Sequence, residues 1–287
     1  MNIKVAVTGS SGFVGRHLIK SLKEKGYEII QLDIQDGIDI TDWKQLHNID
    51  KFDVLFHLAA KTFVPDSYEN PQSFYFTNII GTLNALELCR INNAKMIFAS
   101  SYIYGQPQYL PIDENHPIVA FNPYAQTKVI GEQLCESYHR NFGIPVVILR
   151  PFNIYGPGQH ENFLISSIIK QSKSGSILLK DPEPKRDMLF IDDVVDAYIK
   201  AAEYDRKDYD IFNIGSGKSY SIREIVNTAI NLFDHEIDVR FSDEKRKNEV
   251  LNTIADNSRA NKILNWQAKT SLSKGIRMMI NFGAMND

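Results

Sequence analysis

Tyr124 is followed four residues later by Lys128, and it alone of the thirteen tyrosines in the chain has a lysine at that spacing. On a helix the spacing places both side chains on one face. A phenol with an ordinary pKa of about 10 is a poor proton donor or acceptor near neutrality, whereas a neighbouring ammonium and a cationic ring favour the phenolate. The pair therefore reads as a tuned general acid–base. Upstream, an apolar run ends in Ala99-Ser100-Ser101-Tyr102-Ile103-Tyr104-Gly105. A hydroxyl at the C-terminal end of a strand in an open parallel sheet faces the ligand crevice. Ser100 or Ser101 is thus placed to hydrogen-bond the oxygen that the tyrosine protonates.

A second group of residues suits an anion. The strand run 3–7 leads into Thr8-Gly9-Ser10-Ser11-Gly12-Phe13-Val14-Gly15, which opens a helix. Glycines permit the tight turn and close backbone approach to a pyrophosphate, and the helix N-terminus supplies free N–H donors and positive dipole. The next strand run ends at Asp33, 18 residues past Gly15, where a carboxylate can accept both hydroxyls of a ribose. The same charge repels a 2′-phosphate, and neither Ile34 nor Gln35 brings a compensating cation. NAD(H) is favoured over NADP(H), which stays open.

These residues need a scaffold, and the pattern supplies one. Short β-branched runs at 3–7, 28–32, 54–56, 96–99 and 146–149 alternate with amphipathic stretches, as in βαβ units on a parallel sheet. Phe13, Val14, Leu18, Ile19 and Leu22 follow helical spacing, with Gly26 as the stop. Past residue 150, Pro151, Gly156, Pro157, Gly158, Pro182 and Pro184 break the chain into shorter pieces. A helix follows Asp192, and Ser221 with Glu224 has the capping-box spacing. The expected fold is α/β: a Rossmann-type doubly wound parallel sheet from residues 1–153 and 187–214, with a smaller interleaved α/β lobe from 154–186 and 215–287.

Composition narrows the partners. The 287 residues carry 32 Lys+Arg against 35 Asp+Glu, a net charge of −3, which disfavours nucleic-acid binding through a basic field. No apolar run approaches a membrane span, so a cytoplasmic protein is expected. The two cysteines, Cys89 and Cys135, form no CxxC, the histidines form no HExxH, and no metal site is expected. Gly217-Lys218-Ser219 lacks the upstream glycine of a P-loop, because that position is Phe212. His57 and the Met278-Met279 pair read as core, and His160-Glu161 as loop surface.

Taken together, the chain resembles the extended short-chain dehydrogenase/reductase family, in the branch acting on nucleotide-activated sugars. The resemblance runs almost end to end: the loop 8–15, Asp39-Ile40, His57-Leu58-Ala59-Ala60, Asn78 to Asn84, residues 100–105, Tyr124/Lys128, Arg150 to Gln159, Arg186-Asp187 and Asn213 to Gly217. It implies Gly9, Ser11, Gly12, Phe13, Val14, Gly15, Asp33, Asp39, Ile40, Leu58, Ala59, Ala60, Asn78 and Pro151 around the cofactor, with Lys128 on the nicotinamide ribose. It implies Ser100 as catalytic hydroxyl and Tyr124 as acid–base. A nucleotide-diphosphate sugar would meet Ser101, Tyr102, Asn153, Asn162, Arg186 and Arg246, the arginines on its diphosphate, and the protein would be a homodimer. The 4,6-dehydratases of this branch carry an Asp-Glu pair where this chain has Ser101 and Tyr102, which argues against dehydration. The segment 179–187 resembles reductases of 4-keto-6-deoxy sugar nucleotides more than galactose epimerases. The implied reaction is 4-reduction, with NAD-retaining 4-epimerisation as the alternative and a non-catalytic dinucleotide sensor as a third possibility.

Overall fold

A computed structural model describes residues 3–206, 208–242, 244–245 and 249–284. Arg246 lies outside the described residues. Their strands are β1 (Lys4–Thr8), β2 (Glu28–Leu32), β3 (Val54–His57), β4 (Lys95–Ala99), β5 (Val146–Pro151), β6 (Asn153–Tyr155), β7 (Ser176–Leu179), β8 (Lys185–Phe190), β9 (Tyr209–Ile214), β10 (Ser219–Ser221) and β11 (Asp238–Phe241). The main sheet has the order β2-β1-β3-β4-β5-β9, and every pairing in it is parallel. Such strands are covered on both faces, which is why they were continuous apolar runs. Val5 and Val7 enter the core on one side of the sheet and Ala6 the core on the other, as the period of two requires. The strand order reverses between β1 and β3, the switch point beside which open α/β sheets bind ligands.

The helices Phe13–Glu24, Gly81–Asn92, Pro123–Phe142 and Ile191–Glu203 flank this sheet. Beyond Phe152 the chain leaves it: β6 joins a three-stranded sheet, β10-β8-β6, while β7 pairs β11 in parallel. Residues 187–190, drawn with the large domain from sequence, belong to β8 of the smaller sheet; the Ile191–Glu203 helix and β9 return to the larger one. Ser221 and Glu224 close a full capping box at the Ile222–Ile230 helix. In the Leu272–Ala284 helix Met279 is buried but Met278 is 36% exposed, so only one of that pair is core. No helix among the described residues is long and apolar enough to cross a membrane.

Candidate active site

The glycine loop leaves β1 with Gly9 at φ +69°, and Gly9 and Gly15 are sterically required. A Cβ on Gly15 would lie 2.1 Å from the Gly9 carbonyl oxygen, and one on Gly9 would lie 2.7 Å from the Ala59 amide nitrogen. The Phe13–Glu24 helix begins at Gly12 with no side-chain cap, leaving its first N–H groups available to an anion. Among the described residues, the one fully buried side-chain polar atom lacking a partner is Ser10 Oγ, in this loop. Asp33 accepts from the Ser11 amide at 2.9 Å and the Gln35 amide at 3.0 Å, which fixes its carboxylate beside the loop. A closed cradle, uncapped helix amides, an orphaned hydroxyl and an oriented carboxylate fit a dinucleotide.

The surrounding residues shape that cradle. Thr8 Oγ1 accepts from the Leu58 and Ala59 amides at 3.1 and 3.2 Å, drawing residues 58–60 to the end of β1. Asn78 was expected to face the cofactor, but its amide bonds the backbone of Lys61 on both sides and the Thr127 hydroxyl. It pins Lys61 to the Pro123–Phe142 helix. Asp39 is likewise committed locally, accepting from the Thr41 amide and hydroxyl, and the Ile40 carbonyl accepts from Asn84. His57 lies between the Thr8 and Thr82 hydroxyls at 2.8 and 3.1 Å, with burial pushing its pKa down to about 3. It is a neutral core histidine.

Tyr124 and Lys128 lie in the first turns of the Pro123–Phe142 helix, whose N-cap Asn122 accepts from the Ala125 amide. The Lys128 ammonium donates to the Ala99 carbonyl at 2.7 Å and sits 5.9 Å from the Tyr124 ring centre. Burial pushes the Tyr124 phenol up from its usual value, opposed by the neighbouring Ser101 side chain. Burial also pulls Lys128 down to about 8, against the pull of Cys135 and Glu132. Ser100, expected as the catalytic hydroxyl, turns the other way: it is buried and donates to Glu132 Oε1 at 2.5 Å. Ser101 is therefore the serine beside the phenol. Successive residues at a strand end face opposite sides, so a one-residue shift exchanges the two roles.

The Lys128 pKa yields a pH prediction. In the free protein the ammonium is charged below about 8 and neutral above it. A step needing the cation should fall in kcat/KM as pH rises through that value, and a flat profile from pH 7 to about 9.5 would contradict it. The stability linkage has a definite sign: with the folded pKa below the unfolded value, burying the charge costs stability below about 8, and the cost fades as pH rises towards the ordinary lysine value.

Tyr102 packs edge-on against Phe152 at 5.3 Å between ring centres, and its hydroxyl donates to the Gly105 carbonyl at 2.6 Å. Asn153 Nδ2 donates to the Asp187 carbonyl at 3.0 Å. The buried Asp187 carboxylate gathers the amides of Ser216, Gly217 and Ala255 and the Ser216 hydroxyl, tying β8 to the loop after β9. Arg186 donates to the Val250 carbonyl and pairs with the Glu249 carboxylate. Asn162 is exposed before the Leu164–Lys173 helix, apart from the Tyr124 cluster in its contacts, and its backbone N–H donates to His160 Nδ1 at 3.3 Å. Sequence reasoning missed Glu132 and Glu249. The first was visible as another step of four along the Tyr124/Lys128 face; the second is a pairing across 63 residues with no local signal.

Comparison with known proteins sets this geometry among relatives. The profile of the "NAD dependent epimerase/dehydratase family" matches residues 5–215. The chain is 34% identical to a putative UDP-glucose 4-epimerase of Methanocaldococcus jannaschii, over 99% of each chain. It is 28% identical to the GDP-6-deoxy-D-mannose reductase of Pseudomonas aeruginosa, over 98% of this chain and 97% of that one. The solved structure of MoeE5 in complex with UDP-glucuronic acid and NAD superposes with a TM-score of 0.89 at 26% identity, covering 99% of this chain and 100% of that chain.

Proposed function

The chain belongs to the NAD-dependent epimerase/dehydratase family, and from that premise we propose that it reduces C4 of a 4-keto-6-deoxy nucleotide sugar. The observation that carries the C4 chemistry is the meeting of Tyr124, Ser101 and Lys128 beside a cradle that only glycine can form. When bound, a nicotinamide dinucleotide supplies the hydride that becomes the new C–H bond at C4. Tyr124 gives its hydroxyl proton to O4 as the carbonyl π bond opens, and Ser101 donates a hydrogen bond to the same oxygen. Lys128 would hold the nicotinamide ribose, Asp33 the other ribose, and Gly9, Ser11 and Gly12 the pyrophosphate. Arg186 meets the sugar diphosphate by a charge-assisted bond, and Asn153 meets the sugar. Reduction is supported by the resemblance of the segment 179–187 to reductases of 4-keto-6-deoxy sugar nucleotides and by the identity of 28% to the GDP-6-deoxy-D-mannose reductase.

A second reading, NAD-retaining 4-epimerisation, is supported by the Asp33 carboxylate, fixed beside the loop by the Ser11 and Gln35 amides, and by the epimerase name of the Methanocaldococcus relative. Dehydration is unsupported, since no carboxylate stands at Ser101 or Tyr102. Purified protein given a 4-keto-6-deoxy sugar nucleotide should consume NADH or NADPH stoichiometrically. Tight NAD in the protein as purified, with interconversion of UDP-glucose and UDP-galactose without added cofactor, would replace reduction with epimerisation.

A further inference from the structure

The end of β4 is tied to one face of the Pro123–Phe142 helix residue by residue. Ala99 receives Lys128 at its carbonyl and Ser100 gives its hydroxyl to Glu132, while Ser101 lies close enough to the Tyr124 phenol to oppose the rise in its pKa. The three helix residues are four apart, on adjacent turns of one face. The tether matters because the strand stops at Ala99. Ser100 makes a last backbone bond to Leu149, and residues 101–105 belong to no strand or helix. At Ser100 the hold on this segment is a side chain, and further on the Ile103 carbonyl accepts from the Val119 amide.

Glu132 is itself fixed. Arg150 grips it with Nε on Oε1 at 2.9 Å and Nη2 on Oε2 at 2.5 Å, and the pair is almost fully buried, with side chains 6% and 2% exposed. Arg150 Nη1 also donates to the Tyr104 hydroxyl at 2.9 Å, which donates to Asn213 Oδ1 at 2.5 Å. A buried ion pair is an uneconomical source of stability, since well-packed apolar residues often serve as well or better. We propose that Glu132, clamped by Arg150, is a positioning residue: through Ser100 it fixes the end of β4 so that Ser101 delivers its hydroxyl to Tyr124. This rests on Ser101 and Tyr124 acting on the substrate oxygen.

The test compares Ser100→Ala, Ser101→Ala and the paired neutral replacement Glu132→Met with Arg150→Met, which leaves no lone buried charge. For each, kcat, the sugar-nucleotide KM, NAD(P)H affinity by calorimetry and the melting temperature are measured. Ser100→Ala and the paired replacement should each lower kcat about 10- to 100-fold, the scale of a misplaced catalytic group. KM and cofactor affinity should stay within about threefold, Ser100→Thr should recover most of the rate, and adding Ser100→Ala to the paired replacement should cost nothing more. Parental kcat in a folded paired replacement overturns the positioning role. Losses that multiply when the variants are combined also overturn it, because Ser100 would then act on its own. Full activity in Ser101→Ala overturns instead the assignment beneath it.

Discussion

Replacing Tyr124 with phenylalanine should lower turnover by about a thousandfold or more, within the range for loss of a positioned acid–base, while the protein still binds its dinucleotide. The variant keeps the ring, the helix and the Lys128 bond to Ala99, and removes only the hydroxyl beside Ser101. Burial holds the phenol above its usual pKa, so in the free protein it is a proton-bearing group, the form that reduction of a ketone needs. Steady-state kinetics with calorimetric titration of NAD(P)H separates the two effects. Turnover within about tenfold of the parent would mean that the proton comes from elsewhere.

Gly15→Ala should abolish dinucleotide binding, weakening it by at least about a hundredfold, because the new Cβ meets backbone that cannot yield. That atom would sit 2.1 Å from the Gly9 carbonyl oxygen and 2.7 Å from the Ser10 carbonyl oxygen. Gly12 donates to the same Gly9 oxygen at 3.1 Å, so any shift there disturbs the first helical turn. Calorimetry reads the affinity and circular dichroism checks the fold. A folded variant with an affinity within about threefold of the parent would show that the loop is not the pyrophosphate cradle.

Much of this was legible in the sequence because it is encoded locally. The parallel strands are continuous apolar runs, the capping box at Ser221 is a three-residue interval, and the Tyr124–Lys128 face is a four-residue one. What was not legible depends on direction or distance. Ser100 and Ser101 are both hydroxyls at a strand end, and which faces Tyr124 depends on where the ladder stops, one residue past Ala99. Asn78 belongs to a family pattern around the cofactor, yet its amide is occupied by Lys61 and Thr127. The pairing of Arg186 with Glu249 and the gathering of three loop amides by Asp187 join segments far apart in the chain. No periodicity announces such contacts.

The central claim, hydride delivery to C4 of a keto-sugar, is tested most directly by isotope transfer. Reduced dinucleotide carrying deuterium at the transferable position is incubated with the protein and a 4-keto-6-deoxy sugar nucleotide, and the product is analysed by mass spectrometry and NMR. The account predicts one deuterium, carried on C4. A product without deuterium, or with deuterium on any other carbon, would contradict it.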